Sequence, residues 1–535
     1  MKKILLFAVF FFAGFLSYGQ QYILQLPATT DYREFPSYVS VDYVGNDYIR
    51  VYLWGKDKYT DFSAKYPEAK LLPKPGVAKT IVMASSFTDL KNGWDKYPTY
   101  DAYLEAMQYF ASNYPNLCRL DTIGTTQQGR LLLAVRITDN PDSIEQEPQF
   151  FYTSTMHGDE LTGYVLMLRL IDTLLSGYGN DTFITKLVDT LDIYINPLAN
   201  PDGTYAGGND NVDSAVRVYR NGVDPNRNFG DPVNGEVANQ AQETKAMIAW
   251  QREHNFVMSA NFHGGAEVVN YPWDVWKSSH AHADDAWFGK IGQAYVDTAR
   301  LVDPNYMTDV DSTGVTEGGD WYVISGSRQD YSNYFLHTKE ITIELSADKE
   351  LSSDQLPSYW NINKNSLMLY MLNAWKGFYG MVRDHGGHPQ RAYIHIIGHD
   401  KDNSEVVSSY DGYYFRPVLA GSYNVVAYTD TFISDTLSVV FDGINPERLD
   451  FTLKYRVPSA EEMNDISVYP NPTSGKLMFD MLIPKVELFT LSGKHIKSWN
   501  NRIMVDISGL PEGLYLLRMT NSSGKVVYKK VILSY

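Results

Sequence analysis

Between Leu131 and Leu345, short apolar, β-branched runs alternate with longer helical stretches, and this alternation constrains the fold more than any other feature of the 535-residue sequence. Leu131–Thr138, Gln149–Thr153, Thr190–Ile195, Phe256–Phe262 and Glu340–Leu345 read as buried strands. Leu161–Leu175 and Glu243–Glu253 read as helices between them, and a helix over 361–379 closes the region. The pattern predicts an α/β mixed sheet with helices on both faces. In open sheets of this kind, ligands bind beyond the carboxyl ends of the strands.

The flanking segments have different patterns. Lys2 and Lys3 precede an apolar run from Ile4 to Leu16, and Ser17 and Gly19 fit the small positions of a cleavage site. Residues 1–19 therefore read as a secretory signal peptide, because the run is shorter than the roughly 20 residues a membrane span needs. No later stretch is apolar enough to span, so no transmembrane anchor is expected. Residues 20–95 read as a small α+β, prodomain-like module: two strands in 37–54 around Gly45-Asn46-Asp47, a helix near Tyr59–Tyr66, and a Pro73/Pro75 linker. Tyr103, Leu104, Met107 and Phe110 form the core stripe of a helix opening the next domain, 96–385. After Gly386-Gly387 only strands follow, predicting a small all-β sandwich over 386–457. A polar linker from Pro458 to Asp465 leads to a second all-β unit, 464–535, which carries nine Lys and Arg against five Asp and Glu.

The net charge of −17 argues against nucleic acid as a partner, since phosphate binding needs a basic face. Cys118 is the single cysteine, which excludes an intramolecular disulfide framework and any thiolate zinc site. A bound metal would need histidine and carboxylate ligands. His157 and Glu160, three apart after a predicted strand, suit zinc in ligand type, although alone such a pair is more often a surface histidine beside an acid. His263 ends another predicted strand and offers a third ligand, or else a core or capping histidine.

Here the motifs become specific. HGDELTG from His157, Asn200-Pro-Asp-Gly203, Asp224-Pro-Asn-Arg-Asn-Phe229, Asn261-Phe-His-Gly-Gly265 with Asn270-Tyr-Pro-Trp-Asp274, Trp321-Tyr322 and Ile341-Thr-Ile-Glu-Leu-Ser346 occur in one order. Over about 96–385 the chain resembles the zinc metallocarboxypeptidases of the carboxypeptidase A/B superfamily. It is nearest the carboxypeptidase N/E/D branch, whose catalytic domain is followed by a transthyretin-like sandwich that 386–457 resembles. Residues 464–535, with Val468-Tyr-Pro-Asn-Pro-Thr-Ser-Gly475 and a Lys-rich last strand, resemble the C-terminal sorting domain of type IX secretion.

The resemblance implies one zinc ion per chain held by His157, Glu160 and His263, a ligand set that leaves one position open. Glu344 becomes the general base and Arg217 the oxyanion partner, with Arg220 as a competitor three residues away. Asn226 and Arg227 would hold the substrate's terminal carboxylate. Tyr322 would be the mobile tyrosine, with Tyr331 and Tyr334 as competitors. Asp274 and Gln329 would line the pocket for the departing side chain and select Lys or Arg; the alternative for Asp274 is a cap on a surface turn. Two positions depart from the family motifs: Pro225 stands for Leu, and Asp159 for Asn adds a negative charge beside the metal. The implied function is a secreted or cell-surface zinc carboxypeptidase, exported through the periplasm. Its partners would be peptide or protein C-termini and the type IX secretion machinery. The alternatives are a peptidoglycan stem-peptide amidase or carboxypeptidase, and a non-catalytic binding protein on the same scaffold.

Overall fold

The computed structural model describes residues 21–535 apart from 37, 46, 73–78 and 458. The expected signal peptide, Asn46, the Pro73/Pro75 linker and Pro458 lie outside the described residues.

The N-terminal module is a four-stranded sheet in the order Ser40–Val44, Tyr48–Trp54, Gln21–Pro27, Lys70–Leu72, with the helix Lys56–Lys65 packed on it. Alternation in Tyr48–Trp54 sends Ile49, Val51 and Leu53 to one face, where they meet Leu24, Leu26 and Phe62. The opposite face carries Tyr52 and Trp54, which pack with Ile23 and Val218 of the following domain.

That following domain is built on an eight-stranded mixed sheet in the order Val315–Glu317, Ala266–Tyr271, Lys339–Ser346, Phe256–His263, Gln149–Ser154, Asp192–Asn196, Leu131–Ile137, Cys118–Thr125. The middle four strands are mutually parallel. Helix Thr162–Gly177 is apolar nearly all round and lies buried on one face of the sheet, beside Tyr100–Asn113, Asp285–Arg300 and Leu356–Met371. Helices Gln242–Arg252 and Arg328–Phe335 cover the other face through Met247, Trp250 and Tyr331. Thr99 caps the helix Tyr100–Asn113, its hydroxyl accepting from the Ala102 N–H at 3.2 Å.

The expected helix over 361–379 is shorter at its C-terminus. The helix spans Leu356–Met371, one 3-10 turn follows, and Gly377–Asp384 is a strand. Phe378 and Val382, on one side of that strand, belong to the core of the next unit. The strand pairs with Tyr413–Pro417 and Phe451–Tyr455, so the chain enters the all-β region at Gly377, not at 386. This region gathers nine strands around Val382, Ile394, Val425, Ala427 and Leu453. It docks on the preceding α/β domain through a buried ion cluster: Arg416 donates to Asp284 (3.0 Å) and Asp400 (2.6 Å), and Lys339 also pairs with Asp284. The last unit is a five-stranded antiparallel sheet, Val468–Tyr469 to Val526–Leu533, with its own core of Leu477, Val486, Leu488, Leu517 and Val531.

Candidate active site

His263 is the last residue of its strand and stands in register with Glu344 on the neighbouring parallel strand. His157 follows the end of the adjacent strand Gln149–Ser154, so three strands deliver their side chains to one carboxyl edge of the sheet. The approach to His157 is tight. Gly158 runs so close to the Gly203 backbone that a Cβ would overlap it. Asn200 ties the loops together: its amide donates to the Met156 carbonyl (3.1 Å) and the Val218 carbonyl (3.2 Å), and its oxygen accepts from the Gly203 N–H (2.9 Å).

His157 Nδ1 lies 3.0 Å from Glu160 Oε1, His263 Nδ1 lies 2.8 Å from Glu160 Oε2, and the two ring nitrogens are 3.0 Å apart. Two nitrogens and a carboxylate, all buried and close together, could hold a metal ion and are donors of the types zinc takes. Burial pushes the His263 pKa down to about 4, keeping the ring neutral and its lone pair available. Burial alone would protonate Glu160, but the facing His157, Lys349 and His263 hold its carboxyl well below the usual range. Asp224 Oδ1 lies 3.0 Å from His157 Nε2, the outer carboxylate that fixes a metal-binding imidazole. Glu344 lines the same cavity, and its Oε2 has no hydrogen-bond partner among the described residues. Burial, followed by the charge of Glu160, raises its carboxyl well above the ordinary value.

Arg217, not Arg220, faces this cavity. Its guanidinium donates to Glu160 (3.0 Å), to Asp224 (3.1 Å) and to Asp42 (2.9 Å). Asn226 lines the cavity as well, its Oδ1 accepting from the Arg328 N–H at 2.9 Å. Arg227 sits on the same turn and donates to the Val41 carbonyl at 2.8 Å. Of the three candidate tyrosines, Tyr322 lines the cavity. The Tyr331 hydroxyl pairs with Glu236 and Arg252, and Tyr334 packs near Trp273. Asp274 is buried rather than a surface cap: Gln329 Nε2 donates to its Oδ1 at 3.1 Å, and Asn270 Nδ2 at 3.4 Å. Gln329 Oε1 is buried without a partner among the described residues.

No motif pointed to the residues that lie over this site. Strand Ser40–Val44 of the N-terminal module crosses the cleft. Asp42, with 2% of its side chain exposed, pairs with Lys349 (2.6 Å), Arg217 (2.9 Å) and Arg50 (2.6 Å). Ser40 contacts Asp224 and accepts from Arg217 at 2.9 Å. Trp321 donates to the Val44 carbonyl (3.1 Å), and the Val323 N–H to the Tyr32 hydroxyl (3.0 Å). Lys349 also donates to Glu160 at 2.7 Å and lies 3.9 Å from Asp159, so the extra acid beside Glu160 has a cation to face.

A family model described as zinc carboxypeptidase matches residues 103–366, and one described as a secretion system C-terminal sorting domain matches 467–534. The carboxypeptidase N catalytic chain of Rattus norvegicus is 32% identical over 394 residues, covering 66% of this chain and 85% of the relative. Carboxypeptidase M of Mus musculus is 34% identical over 340 residues, covering 60% and 75%. Carboxypeptidase D of Anas platyrhynchos is 31% identical over 434 residues, covering 77% of this chain but only 31% of that longer protein. Among solved structures, carboxypeptidase A from Helicoverpa armigera aligns at 16% identity with a TM-score of 0.49, over 66% of this chain and 97% of that one. No helix among the described residues is long and apolar enough to cross a membrane.

Proposed function

The chain belongs to the zinc carboxypeptidase family, and from that premise we propose that it is an exported metallocarboxypeptidase that removes single C-terminal residues, with a preference for Lys and Arg. The observation that carries this reading is the convergence of three kinds of group on one cleft: a His₂Glu donor set, an otherwise unbonded buried carboxyl, and an Asn–Arg turn. One zinc ion held by His157, Glu160 and His263 would supply a Lewis acid that activates water and polarises the scissile carbonyl.

The protein's own groups complete the chemistry. Glu344 takes the proton of the attacking water and returns it to the leaving amine, a role suited to a carboxyl whose pKa burial has raised. Arg217 donates to the carbonyl oxygen as negative charge builds on it. Arg227 offers a fork to the terminal carboxylate, assisted by Asn226 and covered by Tyr322. A terminal carboxylate bound there fixes which peptide bond lies over the metal, so one residue leaves per turnover. Asp274 and the unpartnered Gln329 Oε1 face the departing side chain as two acceptors without a cation. A guanidinium or ammonium satisfies both, whereas Phe or Leu would leave them buried and unpaired. An intact donor set with Glu344 disfavours a non-catalytic scaffold.

The test is hydrolysis of peptides ending in Arg, Lys, Phe or Glu by wild type, Glu344→Gln and Asp274→Ala. Glu344→Gln should keep zinc and lose about 10²–10⁴-fold in rate. Asp274→Ala should flatten the profile. Full activity in Glu344→Gln would move the base elsewhere.

The position of Ser40–Val44 favours a second element of the same reading. The strand occupies the groups that would bind substrate, so the N-terminal module acts as a cover that must be displaced or removed before peptides enter. The sorting domain at 467–534 supports export by the secretion system it names. A chain ending at Val457 should hydrolyse peptides as well as the full chain does once the cover is displaced, but stay inside the outer membrane of its host; secretion at the normal level would refute that role.

A further inference from the structure

Asp330, one residue beyond Gln329 on the helix Arg328–Phe335, places a second buried carboxylate against the pocket of Asp274. Its Oδ1 accepts from the Asp274 N–H at 2.8 Å and its Oδ2 from the Val275 N–H at 2.9 Å. A carboxylate gripping two consecutive amides fixes the backbone from which the Asp274 side chain projects. Ser327, at the start of the same helix, caps it by accepting from the Asp330 N–H at 3.2 Å.

The charges around the pair leave it short of a cation. Arg328, on the same helix, spends its guanidinium on Glu340 of the adjacent strand, with contacts of 3.1 to 3.3 Å. Arg227 is near enough for its charge, like the Ser327 hydrogen bond, to oppose the rise at Asp274, but its guanidinium donates to the carbonyls of Asn226 and Val41 rather than to the carboxylate. Asp231, on the facing loop, is satisfied by Ser325, Asn234 and the Gly326 N–H. Among the described residues neither Asp274 nor Asp330 forms an ion pair. Two adjacent buried carboxylates without a paired cation resist ionising together, and their protons come off in coupled steps. Burial pushes Asp274 up to about 6, and burial with the charge of Asp274 holds Asp330 well above the ordinary range.

We infer that Asp274 and Asp330 form a proton-sharing pair in which Asp330 is the positioning residue, so that a substrate's Lys or Arg side chain enters by displacing a proton to solvent. The inference rests on Asp274 as the specificity residue and adds what holds it, what neutralises the empty pocket, and when selectivity fails. A lone carboxylate ionised throughout the neutral range would give a basic preference independent of pH. A shared proton makes that preference fade as the pH falls.

The experiment compares kcat/KM for two peptides differing only in C-terminal Arg or Phe, with the zinc-loaded full chain, from pH 4.5 to 8. Their ratio cancels the titration of Glu344 and the fraction of molecules whose cover is open. The expected ratio is level near pH 8 and falls about tenfold per pH unit below about 6, the slope of a one-proton linkage. Asp330→Asn keeps the side-chain shape and one acceptor oxygen but removes the neighbouring charge. It should move the fall to lower pH and reduce the plateau ratio, with zinc content unchanged. A wild-type ratio near one at every pH would overturn the specificity reading, and this inference with it. A high but flat ratio would overturn the shared proton alone, and a profile unaltered by Asp330→Asn would overturn the part given to Asp330. Should that variant not fold, calorimetry of free arginine binding to wild type at pH 5 in two buffers decides: most of one proton released supports the pair, and none refutes it.

Discussion

Replacing Asp42 with Ala should switch on the intact chain. The carboxylate is buried between Lys349, Arg217 and Arg50, at 2.6, 2.9 and 2.6 Å. Burial disfavours its charge, yet these three cations hold its pKa well below the ordinary value, so it is ionised when the module is docked. Removing one member of a buried ion pair costs roughly 3–5 kcal/mol, chiefly through the partners left behind. Here Lys349 and Arg217 retain Glu160 at 2.7 and 3.0 Å, which places the loss near the lower bound. About 3 kcal/mol is a factor on the order of 10² in the ratio of covered to open molecules. The assay is release of free arginine from a peptide by the full-length protein at pH 7.5, for wild type, Asp42→Ala and Asp42→Asn. Both variants should exceed wild type by up to about 10²-fold, with zinc content unchanged. After limited proteolysis that removes the module, all three should reach one rate. Equal rates before proteolysis, with wild type already at the processed level, would refute the cover.

Other consequences concern packing and charge. Gly318→Ala would drive a Cβ into Asp274 Oδ1, so the basic preference should collapse at a stability cost of about 1–3 kcal/mol, read by the Arg to Phe ratio and a denaturant melt. Arg416→Met should lose roughly 3–5 kcal/mol by strandings of Asp284 and Asp400 at the domain junction, whereas a substitution costing nothing in chemical denaturation would mean the cluster is solvated. Burial opposes ionisation of Asp400, but Arg416 depresses its pKa to about 2. Its stabilisation is therefore complete above the unfolded value near pH 4 and is lost as the pH falls through about 2, which acid melts of wild type and Arg416→Met compare. Cys118, buried and with its pKa pushed up to about 12, should resist alkylation at pH 8 in the native protein and react on unfolding.

The alternation of strands and helices was legible because buried strands and amphipathic helices impose different periods on the chain. Five of the eight strands of the catalytic sheet follow the expected runs within a residue or two, whereas the outer strands Cys118–Thr125, Ala266–Tyr271 and Val315–Glu317 were not expected. The helix end near 379 was misread because Phe378 and Val382 fit the helical spacing as well as the strand spacing, and only their partners in the next unit decide between them. His157, Glu160, His263 and Glu344 were legible from motif order, and the register of His263 with Glu344 explains why two distant motifs meet. Asp42 and Lys349 were not legible. They are 307 residues apart, sit in no motif, and gain meaning only when the N-terminal sheet lies on the cleft. Asp224 stood inside a quoted motif, but its contact with His157 depends on a turn that residue types alone do not specify. Asp330 adjoins Gln329 in the sequence, and its grip on two backbone amides is invisible to side-chain chemistry.

The most direct measurement pairs metal content with product identity. Full-length wild type and His263→Ala are analysed for zinc, then incubated, with the N-terminal module displaced by limited proteolysis, with a peptide ending in Arg whose products are followed by mass spectrometry. Wild type should bind one zinc per chain and yield free arginine and a peptide shorter by one residue. His263→Ala should lose both the metal and the reaction while retaining its fold by circular dichroism. Internal cleavage products, or hydrolysis that persists undiminished in a zinc-free His263→Ala protein, would contradict the assignment of this cleft as a zinc carboxypeptidase site.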